Sequence, residues 1–262
     1  MGRDDVLCMM RVRNEARWIR RSLERTWQVC KTAVVFDDHS TDQTFSEAVA
    51  TMGASIKYDQ HPSGVTVLTD DRELHWLASP FQDQTDEVRD KNHLWEYVGG
   101  LKFRHVLCLD GDEMLSLEAI RQFENACGRL EQGGASVIVM PFMYLWDTER
   151  YRRIDGVYND IRHARLFTID RAPDFRSARF FARGRAGFHC GSIPEHLNIN
   201  HFDFNMPVIH FGYLDAELRE RKLAFYTNLD PNNEAEGYYR HIVGEANHLA
   251  PGPVRLAEYI DA

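Results

Sequence analysis

The sequence predicts an α/β fold with a mainly parallel sheet covered by helices on both faces. Two observations predict it. Short apolar runs of strand character alternate with stretches of helical periodicity through the first 140 residues. Two of those runs stop abruptly at acids, Ala33-Val34-Val35-Phe36 at Asp37-Asp38 and Val106-Leu107-Cys108-Leu109 at Asp110-Gly111-Asp112-Glu113. Open sheets of this class bind ligands beyond the carboxyl ends of their strands, so acids in that position mark a site.

The elements follow in chain order. Val6 to Val12 reads as the first strand. Ala16, Ile19, Leu23 and Trp27 recur at helical spacing, which predicts a helix with an arginine-rich outer face. Ala33 to Phe36 is the second strand. Phe45 to Met52 is a helix, with Thr44 and Glu47 at capping-box spacing. Ala54 to Tyr58 is the third strand. Residues 61–90 read as irregular, broken by Pro62, Gly64 and Pro80. A helix over Asp90 to Val98 precedes the acidic strand at 105–109. Leu117 to Leu130 is helical, and Ser136 to Met140 is a strand that Pro141 ends. Val208 to Tyr213 is a last apolar run, followed by a helix from Glu217 to Leu229 that Asp230-Pro231 stops.

Composition is that of a single-domain enzyme. The 262 residues are 44% hydrophobic and 27% charged, enough for one sizeable core. No run of about 18 apolar residues offers a membrane span, and Met1-Gly2-Arg3-Asp4-Asp5 lacks the profile of a signal peptide. The five cysteines, Cys8, Cys30, Cys108, Cys127 and Cys190, are scattered and without a C-x-x-C pair. They read as reduced packing residues of a cytoplasmic protein.

Residues i and i+2 of an extended chain point to the same side, so Asp110 and Asp112 can aim two carboxylates at one point beyond their strand. Hard oxygen donors there suit Mg²⁺ or Mn²⁺. Gly111 permits a tight turn and a close approach. Asp42 reads as a turn residue. These features bring the chain into line with a known family. Arg11-Val12-Arg13-Asn14-Glu15, the block Asp37-Asp38-His39-Ser40-Thr41-Asp42, and Leu109-Asp110-Gly111-Asp112-Glu113 resemble, in order and spacing, three N-terminal signatures of family 2 glycosyltransferases. Gly111 stands where many relatives carry alanine.

The resemblance spans roughly residues 5–115 and is looser beyond. It implies the GT-A fold: a Rossmann-like sheet in a single domain over 1–262, with a nucleotide-sugar half (1–115) and an acceptor-side half (116–262). It implies transfer of a sugar from a nucleotide diphosphate sugar to an acceptor hydroxyl, with a divalent metal and inversion. On that reading Arg11, Asn14, Glu15, Asp37, Asp38 and Asp110 bind the donor, and Asp110 and Asp112 hold Mn²⁺ or Mg²⁺. Val208-Ile209-His210-Phe211-Gly212-Tyr213 and the Arg219-Glu220-Arg221-Lys222 that follows resemble the C-terminal signature of one branch of the family. By that likeness His210 is a third metal ligand, and Lys222 meets the donor phosphates.

The family's base is an acid in the acceptor half. Glu195, in the loop Phe188-His189-Cys190-Gly191-Ser192-Ile193-Pro194-Glu195-His196, leads, with Asp203 behind it. A Cys190–His189 nucleophile pair is a weaker reading of the same loop. From Arg150 to Arg185 there are ten arginines, no lysine and four aspartates, a local charge of +6 in a chain of −9. The segment suits an anionic partner such as a glycan, a lipid-linked acceptor or a nucleic-acid base. An internal lattice with Asp155, Asp160, Asp170 and Asp174 accounts for the same composition. Two rival functions remain: a non-catalytic nucleotide-sugar binding module, and a metal-dependent phosphatase with Asp110 as nucleophile.

Overall fold

The computed structural model describes residues 2–82, 85–133, 135–170, 172, 174–182, 190–197, 199–231, 239–244 and 254–259. In chain order the elements are β1 (Arg3–Val12), α1 (Ile19–Thr26), β2 (Cys30–Asp37), α2 (Thr44–Val49), β3 (Lys57–His61), β4 (Gly64–Leu68), β5 (Glu73–Ala78), α3 (Glu87–Val98), β6 (His105–Asp110), β7 (Glu113–Leu115), α4 (Leu117–Gln132), β8 (Val137–Trp146), β9 (Thr148–Arg153), β10 (Arg162–Thr168), β11 (His201–Asp203), β12 (Val208–His210), α5 (Ala216–Leu229) and β13 (Leu256–Glu258).

The strands order as β13-β9-β8-β10-β6-β1-β2-β5-β4-β3, with β7, β11 and β12 attached off that path. The centre, β6-β1-β2-β5, is parallel, and antiparallel strands extend both flanks. Alternation along β1 shows why both faces are covered. Val6, Cys8, Met10 and Val12 pack with Ile19 and Leu23 of α1 and Phe123 of α4. Leu7 and Met9 pack with Leu94, Trp95 and Val98 of α3 on the other face. Side-chain caps fix three helix starts, with Asp86, Ser116 and Asp215 each accepting a backbone N–H one turn on.

Four expectations about elements need correction. Residues 61–90 are not irregular: β4 and β5 lie there, and β5 pairs in parallel with β2 from Thr32↔Glu73 to Asp37↔Ala78. The third strand, β3, starts later than expected and is an exposed antiparallel edge. Pro141 does not end β8. On one side of β8, β11 pairs with Val137 to Val139 and β12 with Phe142 to Tyr144. The proline falls in the gap between these two partners, where the ladder needs no N–H. The capping box also fails. Gln43 precedes α2 without a side-chain cap, while the Thr44 hydroxyl accepts the Glu15 N–H at 2.8 Å and donates to Asp42. Asp42 is the turn residue expected.

The arginine-rich segment resolves mainly into local pairs. Arg150 meets Glu258 at 2.9 Å on the surface. Arg153 is buried over the rings of Trp146 and Tyr158, paired with Asp155. Arg162 pairs with Asp160 at 3.0 Å, Arg176 donates to Gly99 O at 2.7 Å, and Arg179 lies 3.6 Å from Glu96. Arg171, Arg183 and Arg185 fall outside the described residues. Arg153 and Arg162 thus pair within the internal lattice and Arg150 pairs with Glu258 outside it; among the described arginines of the segment, Arg165 lines the cavity below. All five cysteines are free thiols, four of them buried.

Removing one member of a buried pair leaves an uncompensated charge, whereas exposed pairs contribute little. We expect Arg153→Ala to cost about 3–5 kcal/mol and Arg150→Ala about 0–1 kcal/mol, read from urea unfolding midpoints. Equal effects would show that Arg153 and Asp155 are not held as a buried pair.

Candidate active site

Strand ends meet at one edge of the sheet. Arg11 of β1 lies in register with Phe36 of β2 and Asp110 of β6, and Val12 lies beside Asp37. After Asp110 the chain turns through Gly111 and Asp112 into β7. There Glu113 pairs with His210 of β12, which also pairs with Tyr144 of β8. The Phe211 N–H donates to Asp112 O at 2.9 Å, tying the two turns together. A cavity of about 670 Å³ opens at this edge, closed by the first turns of α3, by α5 and by the 190–193 loop.

Asp112 is the centre of the cavity wall. It is 5% exposed. Its Oδ2 accepts a hydrogen bond from Lys222 Nζ at 2.8 Å, and His210 Nε2 lies 3.7 Å from the same oxygen. Burial alone would raise the Asp112 carboxyl; the Lys222 ammonium and His210 outweigh it and hold the group below the usual carboxylate range. Burial lowers the His210 imidazole to about 4 despite Asp112, so the ring is neutral at pH 7. Its Nδ1 is buried without a hydrogen-bond partner.

Two glycines make this packing possible. A Cβ on Gly212 would stand 2.1 Å from Asp112 Oδ2, 2.3 Å from Lys222 Nζ and 2.6 Å from His210 Cε1. A Cβ on Gly111 would stand 2.9 Å from both Glu15 Cγ and Val12 Cγ1. Gly111 is thus required for packing against the loop after β1. That loop is held by Asn14, whose φ is +57° and whose Oδ1 accepts the Thr41 N–H at 2.8 Å.

Of the residues expected at the site, Arg11, Asn14, Glu15, Asp110, Asp112, His210 and Lys222 line the cavity. Asp37 and Asp38 do not. Asp38 is buried and accepts from Arg11 at 2.6 Å, Arg13 at 3.3 Å and Thr85 at 2.8 Å. Asp37 accepts the Ser40 N–H at 2.9 Å. Both are spent on shaping the loop and orienting Arg11, which also meets buried Asp90 at 2.9 Å.

Asp110 is turned from Asp112 towards Arg165, 3.7 Å away, which also hydrogen-bonds Glu113. Among the described residues, only Asp5, His105 and Glu131 bring three possible ligand atoms within 4.8 Å. They lie at the other end of the sheet, and Arg3 and Arg104 already answer their charge. Asp112 and His210 face each other at the cavity and fit a cation; Asp110 lines the same cavity but, as the side chains stand, does not complete a three-ligand cluster with them. A carboxylate oxygen and a neutral imidazole nitrogen are donors that fit Mn²⁺.

Neither expected base reaches the cavity. The 190–193 loop lines it, but Pro194 turns the chain away, and Glu195 is exposed in a short turn whose N–H meets Arg179 O. Asp203 sits on β11 beside the start of β8, exposed and 3.8 Å from Arg162. Cys190 lines the cavity, but burial pushes its thiol up to about 12, the reverse of what a nucleophile needs. His189 lies outside the described residues.

Sequence reasoning missed Glu87, Lys91, Arg165, Arg221 and Tyr226, all at the cavity. Lys91 is 3% exposed and bridges Glu87 Oε1 at 2.6 Å and Gly191 O at 3.4 Å. Burial works against its charge, but Glu87, together with Asp110 and other nearby groups, outweighs burial and raises the ammonium. A signal for it existed: Lys91, Leu94, Trp95 and Val98 recur at helical spacing, which puts the lysine on the buried face.

No protein-family model matches the sequence, and no curated protein is significantly similar to it. Solved structures do share its architecture. Residues 1–349 of S. aureus TarS, in complex with UDP-GlcNAc, align over 93% of this chain and 71% of that one, with 11% identity and a TM-score of 0.50. The chain has the GT-A fold. Another S. aureus TarS structure, of which this chain covers 41%, aligns at 13% identity and a TM-score of 0.49. Glucosyl-3-phosphoglycerate synthase from Mycobacterium tuberculosis, in complex with Mn²⁺, UDP-glucose and phosphoglyceric acid, aligns over 54% of this chain and 44% of that one, at 16% identity and a TM-score of 0.34. Likeness at these identities establishes the GT-A fold and nothing finer. Among the described residues no helix is long and apolar enough to cross a membrane.

The wall around Asp112 has no slack at Gly212. We expect Gly212→Ala to destabilise the protein by about 1–3 kcal/mol through overpacking, measured by chemical denaturation. An unchanged midpoint would mean that Asp112 and Lys222 part without cost.

Proposed function

We propose that the protein is a metal-dependent glycosyltransferase that moves a sugar from a nucleotide diphosphate sugar to an acceptor hydroxyl with inversion. One observation carries the reading: at the carboxyl edge of a GT-A sheet, Asp112, His210 and Lys222 converge on one carboxylate oxygen in the wall of the main cavity. The complex of TarS with UDP-GlcNAc supports a donor of that class.

Asp112 and His210 would hold the divalent ion, Mn²⁺ in preference to Mg²⁺ because one donor is an imidazole. Such an ion draws off negative charge that grows on the leaving diphosphate. Lys222 and Arg165 present positive charge to the same oxygens, and they act most strongly where charge develops, in the transition state. Arg11, held by Asp38 and Asp90, and Asn14 with Glu15 bound the end of the cavity that receives the nucleoside. Asp37 and Asp38 act through Arg11 and the loop. The base that takes the acceptor proton is drawn from the carboxylates lining the cavity, Glu15, Glu87 and Asp110, in place of Glu195 and Asp203. Burial, followed by the charge of Asp112, pushes the Glu15 carboxyl well up, as suits a group that must accept a proton.

Residues 1–115 and 116–262 then contribute the nucleoside end and the acceptor end of one domain. The acceptor is anionic, met at the cavity rim by Arg13, Arg17 and Arg221 in place of Arg150, Arg152 and Arg153. A glycan, a lipid-linked sugar or a nucleic-acid base fits that description. The displaced base residues favour, as the second reading, a binding module that retains the donor but does not transfer it.

A thermal-shift screen of nucleotide diphosphates with and without Mn²⁺ tests the donor reading. Binding to the folded state stabilises by about 2.7 kcal/mol at a ligand concentration of 100 Kd. We expect the Mn²⁺-dependent part of that shift to vanish in Asp112→Asn, read against the variant's own ligand-free melting temperature. A shift that survives the substitution rules out Asp112 as the metal ligand. Release of UDP from a UDP-sugar separates transferase from binding module, and release of phosphate from a monoester identifies a phosphatase.

A further inference from the structure

Asp112 Oδ2 already carries a cation of the protein's own. Lys222 Nζ donates to it at 2.8 Å, His210 Nε2 stands 3.7 Å away, and Gly212 closes the remaining side so tightly that a Cβ would fall 2.1 Å from the oxygen and 2.3 Å from the ammonium. A small divalent ion binds carboxylate oxygen at about 2.0–2.2 Å. An ion at that distance from Oδ2, within reach of His210, would share one oxygen with the ammonium at a separation where like charges repel strongly in a partly dry wall. The ammonium is not sealed in. The Lys222 side chain is 24% exposed, towards the cavity, and the face of the Tyr213 ring lies 5.3 Å from Nζ.

We propose that Lys222 occupies the metal's place on Asp112 until donor diphosphate draws it away, so that divalent cation and nucleotide bind with positive coupling. This rests on the donor reading above and adds to it a residue that orders the two binding events. In the donor-free protein Lys222 neutralises Asp112 and the ion binds weakly. Phosphate oxygens entering the cavity offer the ammonium a new partner, Asp112 Oδ2 is freed, and the ion takes it with His210. No covalent change is involved. Coupling of this kind is reciprocal, so the ion must tighten nucleotide binding by the same factor as nucleotide tightens the ion.

Mn²⁺ binding to the whole chain, followed by the loss of the free-ion electron paramagnetic resonance signal, tests this with UDP as the nucleotide probe. The variants are Lys222→Gln, which keeps a hydrogen-bond donor beside Asp112 without the charge, and Lys222→Met, which keeps neither. We expect UDP to tighten Mn²⁺ binding to the wild type about tenfold or more. In both variants we expect Mn²⁺ to bind without UDP about tenfold more tightly than to the wild type, with the coupling to UDP reduced below about threefold. Adding Asp112→Asn to Lys222→Gln should abolish the gain.

A folded Lys222→Gln protein that binds Mn²⁺ no better than wild type overturns the proposal. So does a wild type in which UDP and Mn²⁺ bind independently, a measurement that needs no variant. If no nucleotide diphosphate binds but Lys222→Gln still gains Mn²⁺ affinity through Asp112, the donor reading fails while competition at Asp112 stands. The converse, UDP binding without coupling, overturns the role of Lys222 alone.

Discussion

A carboxylate taken out of water must be answered by charge and hydrogen bonds, and at Asp112 that requirement organises the molecule. The acid sits on the turn after β6, part of the sheet's parallel centre, but its partners come from far along the chain, Lys222 from 110 residues on. His210 ends β12 and Lys222 lies on α5. The Asp112 carbonyl is used as well, accepting from Phe211. Burying Asp112 without these elements would leave an uncompensated charge. The C-terminal layer is therefore tied to the sheet through the residue that the proposed chemistry needs most. Trp18, stacked on Phe211 at 4.6 Å, extends the same contact to α1.

A second charge network stands at the other end of the cavity. Arg11 lies between the buried carboxylates of Asp38 and Asp90, and Arg13 and Thr85 complete the ring of donors on Asp38. Burial works against the charge on Arg11, and the two carboxylates outweigh it. The network fixes the guanidinium against the cavity and gives Asp38 Oδ2 three donors. Acids that look from sequence like ligand contacts can thus act one step back, by orienting the cation that makes the contact.

That distinction explains what the sequence disclosed. Strand runs ending in acids were legible because burial and alternation write themselves into periodicity, and their convergence at one edge follows from parallel pairing. His210 and Lys222 were legible through their likeness to the family's C-terminal signature, one at a strand end and one on the helix after it. Glu195 was not, because whether a loop residue faces a cavity depends on a single turn at Pro194 that no periodicity records. β5 was hidden because only three of its residues, Trp76, Leu77 and Ala78, form an apolar run, although four of its six residues are buried. Pro141 misled because a proline is tolerated wherever neighbouring partners leave a gap, and such a gap belongs to the tertiary structure.

The arginine-rich segment shows the same limit from the side of composition. Charge density along a chain says how many cations there are, not which way they face. Arg153 is consumed between two aromatic rings, Arg176 caps a carbonyl, and Arg162 pairs with its near neighbour. Arg165 differs because β10 lies beside β6, which carries its side chain to Glu113 and Asp110 at the cavity edge. Among the described arginines of the segment, Arg165 contributes to the electrostatics of the site where a whole patch seemed in prospect. The positive charge a diphosphate would meet is then assembled from three separate elements: Arg165 on a strand, and Lys91 and Lys222 on two helices. Arg165 and Lys91 are each held against an acid that fixes them before any ligand arrives, so for these two little reorganisation remains to oppose the charge that develops during transfer.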